Sequence, residues 1–555
     1  MNTDALVIAR NMITALVELT SNTEREFDDS VMTVLSPRGS LFLIALVGCF
    51  IQANAEEKEK KVIEIGDRRE LFVESSLIDS LTGDLDLRLH HPVAREIVLE
   101  HDEPWEGTGS GYHSVFRDGD LYRMYYKAWH IEVKDKKFIT NRHPLYCCYA
   151  ESDDGITWRK PELGIHEFEG SKANNITIIS GKYGDLKADA GHPAVFFDEN
   201  PNAVPEGKYK AVLRSSGVAG LLVFQSADGI HWSPLSKEPL FQGVGAFDSQ
   251  NLAFWDPTIG KYRAYWRAFG SGVTNEKEWK PGGERLIRTA NSDDLENWTP
   301  HQDLVYEKSP VEHLYTNQVK PYHRAPHILV GFPTRYIERG ASESMSALPD
   351  TEKREARAEA NERYGYAITE GLIMASRDGV NFKRWNEAFL RPGEERPGTW
   401  HYGAQYLGWH VVETKSNLPG AANELSFYAT ESYWHGKGSA LRRYTLRLDG
   451  FVSAHAGWDG GELITKPVIF EGDRLSLNFA SSAAGGIRVE LQDLTGKPIT
   501  GFSADDCPPQ FGDSVDRTVR WKGGADLSAL SGKPVRIRFL LQDADLYSYQ
   551  FQESD

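Results

Sequence analysis

Short apolar stretches recur along the central part of the chain, and each one ends in a polar turn. Four of them occupy residues 146–150, 221–224, 286–290 and 372–375. Within two residues, each is followed by the pattern S-x-D-G-x-x-aromatic, beginning at Ser152, Ser226, Ser292 and Ser376, with Leu295 replacing glycine in the third copy. Apolar runs of this length between turn residues are typical of β-strands.

The repeated pattern has the chemistry of a tight turn. An aspartate side chain bonds the backbone about two residues on, glycine supplies a positive φ, and the aromatic residue packs back on the sheet. We therefore expect the aspartates of these turns to be structural, although they recur.

A second repeated element precedes each turn pattern. It consists of an apolar strand, a turn containing aspartate or glycine, and a tyrosine-rich strand, at residues 113–122, 193–209, 251–262 and 317–330, with a fifth candidate at 402–412. Five such units predict an all-β fold, a five-bladed β-propeller that leaves only short strand edges. A β-solenoid or a pair of sandwiches are the alternatives, but a unit of roughly 65–85 residues is long for a solenoid coil.

Two regions depart from the repeat. Residues 341–363 are charged and rich in alanine, which predicts a helical insertion in blade four. From residue 462 onward polar and apolar residues alternate between Gly/Pro turns, a pattern typical of the half-buried strands of a β-sandwich. The predicted organisation is an N-terminal extension and signal peptide at 1–55, a propeller at 62–460 and a β-sandwich at 461–555.

The N-terminal extension contains an export signal. The apolar run 41–51 follows Arg38 and precedes the small-x-small sequence 53–55, which is the layout of a secretory signal peptide. The run is too short for a transmembrane segment, which needs roughly 20 residues. We predict a secreted or periplasmic protein. Lipid anchoring at Cys49 is an alternative, because residues 46–49 resemble a lipobox. The remaining alternative is that the apolar run forms a buried core helix.

Composition narrows the partners. The 555 residues carry a formal charge of −18, and an acidic surface repels phosphate backbones, so we expect no nucleic-acid partner. Cys147 and Cys148 are adjacent and point to opposite faces of a strand, which predicts two separate thiols. Cys507 has no evident partner, and no disulfide framework or zinc spacing is visible.

Three phrases resemble secreted invertase-like bacterial proteins. They are R-E-L-F-V-E at 69–74, F-D-S-Q-N at 247–251 followed by F-W-D at 254–256, and L-R-R-Y-T-L at 441–446 followed by D-G-F at 449–451. With the predicted architecture, the chain resembles glycoside hydrolases of family 32 and the arabinanase-like family 43 over roughly residues 65–550. The resemblance implies hydrolysis of a glycosidic bond at the central funnel.

The catalytic motifs of those families are absent. The W-M-N-D-P-N-G, R-D-P and E-C motifs do not occur. Tyr112 or His113 stands where the base belongs, His192 replaces the aspartate of R-D-P, and Asp248 lies one residue from the position of the acid. The family's catalytic trio is therefore not transferred to this chain.

Inner strands of a propeller converge on its axis, where ligands bind. That geometry nominates the residues at the predicted strand starts for substrate binding: Tyr112, His113, His192, Asp248, Gln250, Asn251, Asn317, His401 and Tyr402. Amides, carboxylates and aromatic faces suit a carbohydrate substrate. The alternative is that they are ordinary polar residues at strand ends.

Glycoside hydrolysis normally needs two carboxyl groups. Asp248 is the first candidate, followed by Glu424 and Glu413, which flank a Gly/Asn-rich connection and are expected to lie close together; Glu431 is a weaker candidate at a position expected on the surface. The alternatives are a turn-capping aspartate and solvated glutamates at strand ends.

Arginines and histidines offer further chemistry. Arg335 and Arg339 follow the inner hairpin of blade four, where they are expected to grip an acidic sugar or to form a structural ion pair. His113, His192 and His401 are possible metal ligands, but their spacing forms no compact motif, so we predict neither a metal nor a cofactor.

Three functions remain open at this point. The first is a secreted glycoside hydrolase acting on a polysaccharide or oligosaccharide, and the second is a carbohydrate-binding propeller without catalysis. The third is a lyase or epimerase with a tyrosine or histidine base, which the cluster of Tyr112, His113 and His192 suggests.

Overall fold

The computed structural model describes residues 62–275, 277–435 and 438–554, and β-strands dominate them. The N-terminal extension, the signal peptide and Cys49 lie outside the described residues. Five separate sheets of antiparallel strands follow one another along the chain, so the five-bladed propeller is confirmed.

Each blade is built from neighbouring segments of the chain. Blade one contains Gly111–Asp118, Leu121–Ala128, Tyr146–Ser152 and Ile176–Ile179. Blade two contains Gly181–Tyr183, Leu186–Phe197, Tyr209–Ser215, Gly220–Ser226 and Ser233–Pro234. Blade three contains Leu252–Asp256, Lys261–Thr274, Trp279–Ser292 and Thr299–Asp303.

Blades four and five include strands that are distant in sequence. Blade four contains Val305–Tyr306, Lys320–Tyr322, Ala325–Gly331, Met374–Ser376 and Asn381–Arg384. Blade five contains Val412–Thr414, Glu424–Glu431, Ala440–Arg447 and the early strand Val93–Glu100. Since Val93–Glu100 pairs with Ala440–Arg447, the first blade strand of the chain closes the ring with the last. Two small hairpins lie beside the blades, Glu132–Lys134 with Lys137–Ile139 and Thr334–Glu338 with Ala367–Gly371.

The repeated turns have the predicted bonding. In the first copy, the Asp154 carboxylate accepts hydrogen bonds from the backbone N–H groups of Ile156 and Thr157, and the Ser152 hydroxyl accepts one from Gly155. The other three copies repeat this pattern at Asp228, Asp294 and Asp378. The aspartates of these turns are therefore structural, as the sequence predicts.

The helical insertion is also confirmed. Three helices, Glu343–Ala347, Thr351–Ala360 and Glu362–Tyr366, interrupt blade four. The Ser342 hydroxyl caps the first of them by accepting from the backbone N–H of Met345. The third helix carries Arg363 and Tyr364 to the site described below.

The C-terminal strands form a sheet that also takes in the first strands of the described chain. Its eight strands are Ile63–Gly66, Arg69–Leu71, Ile78–Leu89, Val452–Thr465, Val468–Phe470, Arg474–Gln492, Asp513–Thr518 and Pro534–Gln552. Three of these strands precede the first blade strand, which the sequence pattern did not indicate. The sandwich and the exact domain limits stay predictions.

A buried aspartate connects this sheet to the propeller. Asp449 is fully buried, and its carboxylate accepts from Tyr322 Oη at 2.8 Å and Arg324 Nε at 2.8 Å on the propeller side. From the C-terminal sheet it accepts from Ser548 Oγ at 2.7 Å, and it pairs with Arg69 at 3.3 Å. Burial acts to raise the pKa of Asp449, but the charges of Arg324 and Arg69 outweigh burial and lower it.

Amide side chains cross the propeller axis. Gln250 is fully buried, and its Nε2 donates to the carbonyl oxygens of Tyr112 and Pro193 at 3.0 and 2.9 Å. Gln318 Nε2 donates to Gln250 Oε1 at 2.7 Å and to the Leu407 carbonyl at 2.8 Å. These bonds join several blades at the axis.

The cysteine predictions hold for the part of the chain that the structure describes. Cys147, Cys148 and Cys507 are free and buried. The first two lie in different apolar clusters on opposite faces of their strand. Within the same described ranges, none of the helices has the length and apolar character to cross a membrane.

Candidate functional site

One cavity of about 320 Å³ lies at one end of the propeller axis, and we call it the axial cavity. Its wall is mainly aromatic, and five acidic, basic or histidine side chains stand among the rings. It is lined by Tyr112, Lys127, Trp129, Ile131, Thr140, Leu145, Asp189, His192, Arg214, Asp248, Tyr315, Tyr364, Tyr402, Tyr433 and Trp434. A smaller cavity of about 140 Å³ lies at the other end of strand Leu186–Phe197 and includes Phe197, Gln318 and His410.

The aromatic wall is held together by ring contacts and one hydroxyl pair. Tyr402 Oη donates to Tyr315 Oη at 3.1 Å, and Tyr112 stacks on Tyr406 with the ring centroids 6.1 Å apart. Tyr112 has a φ of 53°, which is left-handed for a residue with a side chain and costs about 1 kcal/mol or more. A wall of this kind offers flat apolar faces and hydroxyl groups to a ligand.

Asp189 is placed by an irregularity in the first strand of blade two. The pairing register shifts between Asp189 and Ala194, and Asp189 stands opposite Arg214 on the next strand. At Gly191, a Cβ atom would lie 2.5 Å from the Leu145 side chain, so only glycine fits this bend. The bend turns the Asp189 carboxylate toward the Gly191 N–H at 2.8 Å and His192 Nδ1 at 3.2 Å.

The surroundings keep Asp189 ionised. Burial acts to raise its pKa, but His192, Arg214 and the Gly191 N–H lower it to about 2. Burial also lowers the pKa of His192, more than Asp189 raises it. Since His192 is then neutral near pH 7, the imidazole stabilises Asp189 through its N–H, and Arg214 at 3.4 Å supplies the positive charge.

Asp248 is the second carboxylate of the axial cavity. Its side chain is 37% exposed and forms an ion pair with Arg267, whose own side chain is only 3% exposed. Arg267 also donates to the Ala246 carbonyl at 3.2 Å, which holds the guanidinium in place.

Lys127 is buried among aromatic rings. Its Nζ lies 4.6 Å from the ring centroid of Tyr112, 4.9 Å from that of Trp129 and 5.1 Å from that of Tyr433, and it donates to Tyr433 Oη at 3.0 Å. Burial lowers the pKa of Lys127 to about 7, although the charge of Asp189 acts to raise it. The amine therefore exchanges its proton near neutral pH.

Tyr315 lies in a buried environment that is dominated by nearby arginine charges. Burial acts to raise its pKa, but the charges of Arg267 and Arg363 outweigh burial and lower it to about 8. The guanidinium carbons of Arg267 and Arg285 lie 4.9 and 5.3 Å from the centroid of its ring. The Tyr315 hydroxyl is therefore more acidic than an ordinary tyrosine.

The structure brings four of the sequence-nominated residues together. Tyr112, His192, Asp248 and Tyr402 all line the axial cavity. Three nominated amides are buried and serve the scaffold: Gln250 as described above, Asn251 through the Phe247 and Ser249 carbonyls, and Asn317 through Tyr265.

His113 and His401 are nominated residues that do not line the axial cavity. His113 is buried, with its Nε2 3.0 Å from His101 Nε2. His401 faces the carbonyl oxygens of Tyr402 and Gly398. Among the described residues, no group of three or more His, Cys, Asp and Glu is placed to hold a metal.

The expected meeting of Glu413 and Glu424 does not occur. Glu424 stands opposite Thr414 in the sheet, so Glu413 and Glu424 point to opposite faces of blade five. Glu413 pairs with His323 at 2.9 Å, and Glu424 pairs with Arg443 at 3.1 Å. Neither residue lines the axial cavity.

Two further expectations need correction. Glu431 is only 2% exposed, bonded by Arg396 and Arg442, so it is not at the surface. Arg335 forms ion pairs with Glu312 at 2.9 Å and Glu370 at 2.7 Å. It is therefore part of a structural ion pair, the alternative to binding an acidic sugar. Arg339 lines the same separate cavity as Arg335, of about 530 Å³.

Sequence reasoning missed several residues of the site. From the sequence, His192 stands at the position of the family's aspartate, and Asp189 lies three residues before it. Asp189 was missed because the bend between the two residues leaves no recognisable sequence pattern. Lys127 closes a tyrosine-rich strand next to Trp129. Tyr315 and Tyr433 lie in connections, where no periodicity marks them.

Comparison with known proteins finds only distant structural similarity. No protein-family model matches the chain, and no curated protein matches it significantly. Among solved structures, a glycoside hydrolase family 43 arabinoxylan arabinofuranohydrolase from Bacillus subtilis in complex with cellotetraose is 14% identical, with a TM-score of 0.38 over 84% of this chain and 99% of that one. An endo-arabinase from Bacteroides thetaiotaomicron is 11% identical, with a TM-score of 0.36 over 63% and 98%.

A third similar structure has a different activity in its name. An N-acetylgalactosamine deacetylase from F. plautii, in complex with blood group B trisaccharide, is 11% identical, with a TM-score of 0.38 over 65% of this chain and 95% of that one. At these identities and TM-scores the similarity carries no inference about activity. The function is therefore argued from the axial cavity itself.

Proposed function

We propose that the protein hydrolyses a glycosidic bond of a polysaccharide or oligosaccharide in the axial cavity. The observation that carries the proposal is that two carboxylates, Asp189 and Asp248, line one aromatic-walled cavity at the propeller axis. Two carboxyl groups facing one bond are the usual equipment for glycoside hydrolysis. Stacking on Tyr112, Trp129 and Tyr402 would hold the sugar rings.

Asp189 is the base or nucleophile of the proposed reaction. Its pKa of about 2 keeps it ionised near neutral pH. The hydrogen bonds from Gly191 and His192 fix the orientation of the carboxylate. Asp248, held by Arg267, would stabilise the positive charge that develops on the sugar ring.

Lys127 is the proposed proton donor, because its pKa of about 7 lets it release a proton near neutral pH, whereas Asp189 is held ionised. In the proposed step, the Lys127 ammonium protonates the glycosidic oxygen as the bond from the anomeric carbon to that oxygen breaks. The oxygen of water bonds to the anomeric carbon, and the proton of that water passes to Asp189. Solvent then returns the proton from Asp189 to Lys127.

This role predicts the pH dependence of kcat/KM. The protonated form of Lys127 is the active one, so kcat/KM should fall as the pH rises through about 7. Lys127→Met should remove this decline along with most of the activity. Lys172→Met, at an exposed position, is the control and should keep the wild-type profile. A rate that rises through pH 7 would instead make Lys127 a base.

A second candidate function is elimination on a uronic acid, and the lowered pKa of Tyr315 favours it. The Tyr315 phenolate would remove the proton at C5. The C4–O bond would then break with formation of a C4=C5 double bond, and the leaving oxygen would take up a proton. This is the tyrosine-base alternative of the sequence analysis, with Tyr315 as the base.

A panel of polysaccharides and oligosaccharides separates these functions. Hydrolysis releases new reducing ends without unsaturation, and in ¹⁸O-labelled water one product carries the label. Elimination releases an unsaturated, ultraviolet-absorbing sugar without label. Binding without any product would leave a carbohydrate-binding propeller and would refute both enzymatic candidates.

We also propose that the protein is exported. The support is the predicted signal peptide, the apolar run 41–51 that follows Arg38 and precedes the small-x-small sequence 53–55. Expression of the full gene in a bacterial host followed by N-terminal sequencing tests this. Cleavage after Ala55 is expected, while retention of residues 41–51 in the mature cytoplasmic protein would contradict export.

A further inference from the structure

We propose that the axial cavity accepts a saccharide carrying a negatively charged group, a carboxylate or a sulfate, and that the positive charges of Arg285 and Arg363, which stand behind the tyrosines of its wall, favour that group. The inference rests on the proposed function, because it names the substrate class of the same site. Its evidence is the distribution of charge around the cavity wall.

Cations outnumber carboxylates at this wall, although the chain as a whole carries −18. Lys127 and Arg214 line the cavity, and Arg267, Arg285 and Arg363 stand behind its tyrosines. Among the described residues, the lining carboxylates are Asp189 and Asp248, which pair with Arg214 and Arg267. Lys127, Arg285 and Arg363 remain without a carboxylate partner in that part of the chain.

The guanidinium groups of the two unmatched arginines pack on aromatic rings, and Arg285 Nη1 also lies 3.3 Å from His313 Nδ1. The Arg285 guanidinium carbon lies 4.5 Å from the centroid of Tyr336, and that of Arg363 lies 4.5 Å from Tyr364 and 5.7 Å from Tyr402. Arg285 is 8% exposed, and within the described chain its Nε has no hydrogen-bond acceptor. The Nε of Arg363 is likewise buried and unpartnered there.

Buried arginines elsewhere in this fold have acceptors. Arg263 pairs with Asp256 at 2.6 Å, and Arg443 pairs with Glu96 at 2.7 Å. Arg354, in the helical insertion, donates to the carbonyl oxygens of Gly365 and Trp400 instead. A buried guanidinium without a counter-charge is costly, so two of them beside one cavity point to an anion supplied by a ligand.

Glu338 is a further carboxylate near Tyr336, and within the described residues it forms no ion pair with Arg285 or Arg363. Glu338 accepts from Tyr336 Oη on the side of the separate cavity that Arg335 and Arg339 line. The lowered pKa of Tyr315 is a sign of positive potential at the axial cavity, because the guanidinium charges lower this pKa despite burial. A planar carboxylate or a sulfate would match this potential and the fork geometry of arginine.

Equilibrium binding tests the inference independently of turnover. Isothermal titration calorimetry of the full-length protein would compare three probes of equal length: an oligogalacturonate, a sulfated galactan oligosaccharide and a neutral galactan oligosaccharide. We expect one anionic probe to bind at least tenfold more tightly than the neutral one, with an advantage that shrinks as salt rises. The probe that wins identifies the group as carboxylate or sulfate.

Variants assign the effect to the unmatched arginines. Arg363→Gln and Arg285→Gln should each weaken the anionic probe about tenfold and leave the neutral probe unchanged, whereas Arg363→Lys should restore part of the affinity. Arg391→Gln, at an exposed position, is the control and should change nothing. Thermal denaturation confirms that each variant is folded.

The outcomes also separate this inference from the proposed function. Tight anionic binding without any cleavage supports the inference and refutes the enzymatic proposal. Cleavage of a neutral glycan that depends on Asp189, with no preference for charge, overturns the inference and leaves the function standing. Failure of both anionic probes to bind, or equal loss of the neutral probe in Arg363→Gln, also overturns it.

Discussion

Asp189→Asn should lower kcat/KM by about 1,000-fold, within the 100- to 10,000-fold range typical of a lost catalytic base. The asparagine oxygen can still accept from the Gly191 N–H, whereas the amide nitrogen that replaces the second oxygen no longer accepts from His192 or pairs with Arg214. The negative charge disappears as well, and with it the group that takes the proton of water. Steady-state kinetics on the glycan found by the panel measures the loss.

Stability must be measured alongside activity for this variant. The depressed pKa of Asp189 means that its ionised form adds about 2 kcal/mol to folding above pH 4, a contribution that is lost as the pH falls toward 2. Asp189→Asn should therefore unfold at a somewhat lower temperature and remain folded at 25 °C. Asp459→Asn, at an exposed strand position, is the matched control and should keep full activity. Wild-type rates in a folded Asp189→Asn variant would remove Asp189 from the mechanism.

The second large effect concerns the junction of propeller and C-terminal sheet. Asp449→Asn should lower the free energy of unfolding by about 3 kcal/mol, because it leaves the buried charge of Arg69 without a counter-charge and leaves Arg324 with Glu413 alone. Asparagine tolerates the φ of 60° at this position, so backbone strain does not add to the loss. Urea denaturation at pH 7 measures the change.

The pH dependence of this junction has a definite sign. Since the folded-state pKa of Asp449 is lowered, its stabilisation is present above about pH 4 and is lost as the carboxylate is protonated below it. The variant and the wild-type protein should therefore approach one another in stability in acid. Ser548→Ala removes one donor only and should cost about 1 kcal/mol. An Asp449→Asn variant as stable as the wild type at pH 7 would show that the junction does not depend on this charge.

The propeller was predictable because its signals are local. The turn at Ser152 and its three copies each contain the serine, the aspartate and the small or aromatic residue that the turn needs, within seven residues. Pairing between distant strands leaves no such trace. Val93–Glu100 closes blade five, and the first three strands join the C-terminal sheet, through contacts that no short pattern encodes.

The site was predictable only in part for a related physical reason. Tyr112, His192 and Asp248 were found because strand starts meet at the axis in any propeller. Glu413 and Glu424 were misplaced because one residue of register decides which face a side chain takes. Arg285 and Arg363 come from other elements and lie near the cavity because they pack on its aromatic rings. Packing of this kind is visible only in the three-dimensional structure.

The most direct test of the axial cavity as the active site is a crystal structure of Asp189→Asn with an oligosaccharide that the wild-type protein cleaves. The account predicts a sugar ring against Tyr112 and Tyr402, with the scissile oxygen within hydrogen-bond distance of Lys127 Nζ. An oligosaccharide bound in the cavity of Arg335 and Arg339, or on the C-terminal sheet, with no sugar at the propeller axis, would contradict it.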